Sequence, residues 1–182
     1  METVRTMKSL LARGFGGAVF ALAATGVFAQ ETSDNRVAAR TDWSVFVEDN
    51  PTECWAVSSP KETVNTKDNR VVAVRRSEIL LFVSYRPGSN VNGEVSFTGG
   101  YPFAGGSTVR LQIGDSSFEL FTTGENAWPA SSADDAKIIT AMKRGAQAVV
   151  TGRSSRGTVT RDTFSLLGFT AALEEAENRC GS

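Results

Sequence analysis

The chain has 182 residues, with 19 lysines and arginines, 20 aspartates and glutamates, and no histidine. A net charge of −1 argues against a dedicated nucleic-acid or anionic-membrane binder, because both need a strongly basic surface. The missing histidine excludes Ser-His-Asp and Cys-His nucleophiles and histidine-based metal sites.

The first 29 residues have the pattern of an export signal. Its basic residues are Arg5, Lys8 and Arg13. They precede an apolar run, residues 14–28, and Ala29 is the small residue that a signal peptidase requires. Translation from Met7 is an alternative start. The run is shorter than the roughly 20 residues of a membrane span, so the pattern predicts a periplasmic or secreted protein with no transmembrane segment after cleavage.

Cleavage after Ala29 leaves 153 residues, which suffice for one domain with its own core. Sixteen basic and 19 acidic residues remain, giving a net charge of −3. Residues 30–42 are polar and predict a flexible mature N-terminus. Residues 43–182 are then expected to form the single folded domain.

Short stretches of alternating apolar and polar residues predict a mainly β fold. The predicted strands are Trp43–Glu48, Cys54–Ser58, Val71–Val74, Ile79–Tyr85, Val95–Thr98, Val109–Ile113, Phe118–Leu120, Val149–Thr151 and Thr158–Ser165. Ile79–Tyr85 is apolar enough for a central strand. Trp55, beside Cys54, is assigned to the core, and Asn92-Gly93 has the residues of a tight hairpin turn.

Two helices are predicted late in the chain. The first is capped by Ser131 or Ser132 and ends at Gly145. The second places one apolar stripe on a helix face, formed by Phe169, Ala172, Leu173, Ala176 and Cys180. The whole pattern predicts a single-domain antiparallel β-sandwich with one inserted helix and a C-terminal helix, with a partly closed barrel as the second choice.

The two cysteines of the mature chain are Cys54 and Cys180. In an exported protein, where oxidation is available, they predict one disulfide that closes a loop of 126 residues between positions 54 and 180. The alternative, two free thiols or a metal pair, lacks the close spacing and additional ligands of metal sites. No metal and no cofactor is therefore expected.

Catalytic motifs are weak. Residues Ser58 to Lys61 spell S-x-x-K, the acylating motif of penicillin-recognising enzymes. That motif opens a helix, whereas here a strand ends and Pro60 follows, and neither S-D-N nor K-T-G occurs downstream. The glutamates of the last helix are typical of a solvated face. We expect no enzymatic activity, and a carboxylate-dependent hydrolase is the least favoured alternative.

Four residues are candidates for a binding surface. Arg153 and Arg156 lie on one polar turn, where two guanidinium groups are able to grip a carboxylate or phosphate; solvated turn arginines are the alternative. Tyr101 and Trp128 each precede a proline and are candidates for an aromatic platform. A role in the core or in anchoring a loop is the alternative for both aromatic residues.

Six runs of residues, taken as a set, resemble the invasion-associated locus B family of bacterial secreted proteins. They are Cys54-Trp55-Ala56-Val57-Ser58, Gly100-Tyr101-Pro102-Phe103, Phe118-Glu119-Leu120-Phe121, Ala127-Trp128, Ala141-Met142-Lys143-Arg144-Gly145, and Ser165-Leu166 followed by Gly168-Phe169-Thr170-Ala171-Ala172-Leu173. The likeness covers nearly the whole mature chain. It implies an exported envelope protein of Gram-negative bacteria and supplies no catalytic residues.

The export signal, the missing catalytic groups and this resemblance together predict a non-catalytic protein-binding or envelope-associated module, with a possible link to host-cell interaction. Its partner is expected to be an envelope or host protein and not a nucleic acid. The alternative is a periplasmic module that binds a glycan or another small ligand.

Overall fold

The computed structural model describes residues 35–50 and 52–181. The predicted signal, residues 1–29, lies outside them, as do residues 30–34. The strands are β1 Arg36–Arg40, β2 Trp43–Asp49, β3 Thr52–Ser58, β4 Glu62–Lys67, β5 Arg70–Val71, β6 Leu80–Arg86, β7 Val91–Thr98, β8 Thr108–Ile113, β9 Ser116–Thr123, β10 Asn126–Trp128, β11 Gln147–Arg153 and β12 Val159–Ser165. The α-helices are α1 Ser132–Arg144 and α2 Phe169–Cys180.

All of these strands form one antiparallel sheet, in the order β1-β2-β3-β6-β7-β10-β9-β8-β11-β12-β4-β5. The sheet folds over so that its two halves face each other across a common core. Phe97 on β7 and Phe164 on β12 are not neighbours in the sheet, yet their rings meet edge to face at 6.2 Å. At one end Trp43 Nε1 donates a hydrogen bond to the Ser165 carbonyl at 3.0 Å. The predicted mainly β, sandwich-like fold is confirmed.

The two helices form where their caps and apolar stripes predict them. Ser131 caps α1 by accepting a hydrogen bond from the Asp134 amide, and α1 ends at Gly145. The predicted stripe of α2 is buried along its whole length. Phe169 packs edge to face on Trp43, with ring centroids 4.9 Å apart. Helix α2 therefore fills the inner side of the half-sheet that contains β2 and β3.

The predicted disulfide is present between Cys54 on β3 and Cys180 at the end of α2, with an S–S distance of 2.07 Å. Both cysteines are buried. The bond closes 126 residues of chain and so joins the beginning of the domain to its end.

The predicted flexible N-terminus is wrong for part of its length. Residues 36–40 form β1, which pairs with β2 through contacts such as Ala38 with Val45 and Ala39 with Ser44. Ala38 packs against the core. The strand is polar and short, so its own sequence carries little β signal, and pairing with the apolar strand β2 determines it.

The core assignment of Trp55 is also wrong. Side chains alternate across a strand, and on β3 the buried positions are Cys54, Ala56 and Ser58. Trp55 therefore points outward, where its ring stacks on that of Phe46 at 5.8 Å.

Asn92-Gly93 does not form the predicted hairpin turn, since both residues lie inside β7. The chain reverses instead at Pro87–Ser89, followed by Asn90 in the left-handed conformation. Gly93 has a φ of +86° and is the extra residue of a bulge opposite β6. The predicted strand Val71–Val74 shortens to Arg70–Val71.

Helix α1 is fixed to β7 by the Asp135 carboxylate, which accepts a hydrogen bond from the Val95 amide at 2.8 Å. Burial raises the pKa of Asp135, with the carboxylates of Glu94 and Asp134 adding to the effect. A raised folded-state pKa means that this group's contribution to stability is lost as the pH rises through that value. The charge of Asp135 is therefore unfavourable at neutral pH, while its acceptor oxygen is useful.

Asp135→Asn is expected to raise the free energy of unfolding at pH 7, because the amide oxygen still accepts the bond without carrying the charge. The gain should vanish below about pH 4, where the wild-type carboxyl is also neutral. Asp135→Ala, the matched control, leaves the Val95 amide without its partner and should cost about 1–2 kcal/mol. Urea unfolding at both pH values measures the free energy of unfolding of the wild type and of both variants. Equal unfolding free energies for Asp135→Asn and Asp135→Ala would contradict the prediction.

Candidate functional site

A buried ion pair inside the sandwich, Arg76 with Asp162, is occupied in structural contacts. Arg76 donates two hydrogen bonds to the buried Asp162 carboxylate, at 2.7 and 2.6 Å, and a third to the Gly99 carbonyl at 2.9 Å. The guanidinium also lies 4.9 Å from the centroid of the Tyr101 ring. This cluster fastens the segment before β6 to the inner face of β12, and it leaves neither charge free for chemistry.

Tyr101 belongs to the same cluster and not to the predicted surface. Its hydroxyl is hydrogen-bonded to the Thr160 hydroxyl at 2.6 Å, and burial raises its pKa. A Cβ atom built on Gly152 would lie 2.8 Å from the Tyr101 hydroxyl oxygen. Gly152 shares the core side of β11 with Val150, so Tyr101 lies on that side too. Trp128 points outward from β10, and the two rings do not form a joint platform.

The S-x-x-K residues do not form a nucleophile. The Ser58 hydroxyl donates to the Asp42 carbonyl at 2.7 Å. Lys61 forms an ion pair with the Asp42 carboxylate, and its hydrogen bond lowers the pKa of that carboxyl. The lysine is therefore engaged by the Asp42 carboxylate, and the serine hydroxyl by the Asp42 carbonyl.

Two further acidic groups form surface contacts. Glu175 on α2 pairs with Arg179 and Arg40, and the bond to Arg179 lowers its pKa. Asp134 pairs with Lys137 in the first turns of α1. Within residues 35–50 and 52–181, no group of three or more acidic or cysteine side chains is arranged to hold a metal ion.

Trp128 is paired with another exposed ring. It lies directly opposite Phe121 on β9, and 39% of Trp128 and 53% of Phe121 are exposed. Leu120 and Ala127, which alternate with these two residues along the strands, are buried in the core. The sheet therefore presents two neighbouring aromatic side chains to solvent.

Arginines lie to one side of this pair, on the same outer side of the sheet, and Glu119 lies directly opposite Arg110. Arg110 on β8 and Arg161 on β12 both lie opposite Thr151 of β11. Arg153 lies opposite Val159, which is 40% exposed. We call this surface the aromatic–arginine face; its residues are Arg110, Phe121, Trp128, Arg153, Arg156, Val159 and Arg161. In the described part of the chain none of these four arginines forms an ion pair.

The turn that carries Arg153 and Arg156 is braced from beneath. The Ala104 amide donates to the Arg153 carbonyl and the Ser155 amide donates to the Pro102 carbonyl, both at 2.9 Å. The buried Ser154 hydroxyl accepts a bond from the Thr158 amide at 3.1 Å. The loop that follows β7 thus supports the arginine turn, which places the two guanidinium groups on a fixed backbone.

The family model of the invasion associated locus B protein matches residues 43–177. The chain belongs to the invasion associated locus B family. The crystal structure of invasion associated protein B from Bartonella henselae has a similar fold, with a TM-score of 0.52 and 16% identity over 78% of this chain and 95% of that chain. No curated protein sequence matches this chain.

Membership of the invasion associated locus B family confirms the resemblance seen in the sequence. The aromatic–arginine face lies entirely within the matched residues 43–177. No helix among the described residues of this family member is long and apolar enough to cross a membrane. Phe121 was missed because its predicted strand ended at Leu120; continued alternation would have placed it on the outer face.

Proposed function

We propose that this invasion associated locus B protein is an exported, envelope-associated module without catalytic activity. It binds an envelope or host protein through the aromatic–arginine face. The observation that carries the proposal is the exposed Trp128–Phe121 pair beside arginines that have no ion-pair partner in the described chain. Aromatic residues and arginine dominate the energetics of protein interfaces, so this composition supports a binding surface.

The contacts of the other candidate groups support a non-catalytic role. Ser58, Lys61, Asp162 and Tyr101 all make the structural bonds described above. A disulfide and a signal-like N-terminus support export, since disulfides persist in oxidising compartments. These side chains and the disulfide therefore stabilise a rigid scaffold.

The proposed face matches a partner with acidic groups beside apolar side chains. Arginine binds carboxylates in a planar, bidentate geometry, and the arginines here stand on either side of Thr151 and on the adjoining turn. Val159 provides an apolar contact next to Arg153, and Phe121 and Trp128 provide apolar contacts on the two strands beyond β8. The face lies on paired strands and a braced turn, so little ordering of this chain opposes binding.

Photo-crosslinking in intact cells tests the proposal. Photoreactive amino acids at positions 128 and 156 are expected to capture one protein, identified by mass spectrometry. The matched control is a probe at Glu174, which is exposed on α2 and lies outside the face. Capture of the same proteins from position 174, or no capture from a reactive probe at 128 and 156, would overturn the proposal.

A glycan ligand is the second candidate, and the aromatic pair is the observation that favours it. A cleft of about 300 Å³ lies beside Trp128, between Pro129 and the turn that leads into β7. Co-sedimentation with purified peptidoglycan distinguishes the two functions. Retention of the wild-type protein on peptidoglycan that is lost in Trp128→Ala supports the glycan ligand. A protein partner predicts that neither the wild type nor Trp128→Ala is retained.

A further inference from the structure

The outer side of the other half-sheet carries a cluster of apolar side chains. On β2, β3 and β6 the apolar outward positions are Phe46, Trp55, Val57, Leu80 and Phe82, with the polar outward residues Ser44, Glu53, Ser84 and Arg86 beside them. They alternate with the core residues of the same strands, and each is half-buried. We call this surface the stacked face, after the 5.8 Å stacking of Phe46 on Trp55. A contiguous apolar surface of this kind marks an interaction site.

The strand register arranges the stacked face in two rows that cross five strands. The first row is Arg36, Phe46, Trp55, Ser84 and Glu94. The second row is Ala39, Ser44, Val57, Phe82 and Ser96. On β2 the aromatic ring is in the first row and the serine in the second, whereas on β6 the serine is in the first row and the ring in the second. Large and small side chains therefore alternate across the face.

This pattern is complementary to itself. A twofold axis that runs along β3, between two stacked copies, places Glu53, Trp55 and Val57 opposite their own counterparts, so that one like-charge contact adjoins the aromatic centre. The same rotation exchanges β2 with β6 and β1 with β7. Phe46 of one copy then meets Ser84 of the other, and Phe82 meets Ser44, so that each ring faces the space beside a small side chain. At the rim, Arg36 meets Glu94.

We propose that the chain forms a twofold symmetric homodimer through the stacked face. Charge complementarity favours a second copy of the chain as the binding partner of the stacked face. The first row ends in the positive Arg36 on one side and the negative Glu94 on the other. The twofold rotation therefore pairs Arg36 of each copy with Glu94 of the other. Arg36 has no ion pair in the described part of the chain. Glu94 pairs with Arg86 at 2.6 Å and keeps 37% of its side chain exposed.

The size and geometry of the face fit a weak dimer. Five strands about 4.8 Å apart, each about seven residues long, give a face of roughly 19 by 23 Å. Two copies then bury on the order of 1,000 Å², at the lower end of specific interfaces. Sheets pack face to face about 10 Å apart with strands aligned within about 30°, which the axis along β3 allows.

The dimer leaves most of the aromatic–arginine face free. Only Trp128 adjoins the edge of the stacked face, because β10 pairs with β7 and Trp128 lines one cleft with Glu94. Each dimer would present two such faces, which raises avidity for a multivalent partner. The dimer does not depend on the proposed partner, and its test below uses the purified protein alone.

Light scattering coupled to size-exclusion chromatography, across a broad concentration range, tests the dimer. The exported protein is expected to shift from monomer to dimer mass as its concentration rises. Trp55→Ser should weaken the dimer by about tenfold or more, because it removes the aromatic residue at the axis. The matched control, Val159→Ser, removes an exposed side chain from the opposite half of the sandwich and should leave the dimer unchanged.

Charge reversal tests the register. Arg36→Glu alone is expected to weaken the dimer through contact with Glu94 of the second copy, and adding Glu94→Arg should restore it. Circular dichroism confirms that each variant is folded. Monomer mass at every concentration, or a dimer that Trp55→Ser leaves intact, would overturn the proposal; failure of the double reversal to restore the dimer would overturn this arrangement of the copies.

Discussion

Replacing both Cys54 and Cys180 by alanine is expected to lower the free energy of unfolding by about 3–5 kcal/mol. The disulfide closes 126 residues of chain, and a loop of that length removes much of the conformational freedom of the unfolded state. The bond also holds α2 against β3, so its loss affects the packing of the whole inner face. Urea unfolding of the oxidised protein and of the double variant measures the difference.

Reductant supplies the control for this prediction. It should destabilise the wild-type protein towards the double variant and leave the double variant unchanged. Equal unfolding midpoints for the oxidised and reduced wild-type protein would show that the disulfide contributes no stability.

Replacing Arg76 by methionine is expected to cost about 3–5 kcal/mol of unfolding free energy. The side chains of Arg76 and Asp162 are only 4% and 0% exposed. Removing the arginine leaves the Asp162 carboxylate buried without a partner, and it also removes the bond to the Gly99 carbonyl. Chemical denaturation of the single variant measures the loss.

Two further variants separate burial from charge. Arg179→Ala breaks a pair on the exposed side of α2 and should cost less than about 1 kcal/mol. Combining Arg76→Met with Asp162→Leu should recover part of the lost stability, because no unpaired charge then remains inside. An Arg76→Met variant as stable as Arg179→Ala would refute a structural role for the buried pair.

Local patterns predicted the elements whose partners lie nearby in the chain. The stripe from Phe169 to Cys180 repeats with the period of a helix, so its buried face followed from spacing alone. Ser131 and Gly145 have the residue types that begin and end helices. The disulfide could be predicted because the mature chain has two cysteines and its expected compartment is oxidising.

Contacts between distant segments could not be predicted from local patterns. Arg76 and Asp162 are 86 residues apart, and no spacing rule connects them. Trp55 lies between Cys54 and Ala56, and an apolar run of this kind does not show which alternate positions face inward. Asn92-Gly93 suits both a turn and a bulge, because each uses a glycine with positive φ.

The candidate site was predicted only in part for the same reason. Trp128 and Arg153 were named as separate features, and the strand order brings them to one outer face together with Phe121 and Arg161. Arg156 lies on the turn that follows β11. Tyr101 was named with them, but the fold directs its hydroxyl inward to Thr160. Sequence reasoning identified individual exposed residues. Which of them share one surface depended on how the strands from β8 to β12 pair with one another.

Hydroxyl-radical footprinting, performed on the purified protein and in intact cells, tests most directly whether the aromatic–arginine face is a binding surface. Trp128 and Phe121 are expected to be oxidised in the purified protein and protected in cells. Leu167, which is 61% exposed outside the face, should react in both samples, and the buried Trp43 should react in neither. Equal oxidation of Trp128 and Phe121 in both samples would contradict the binding role proposed for this face.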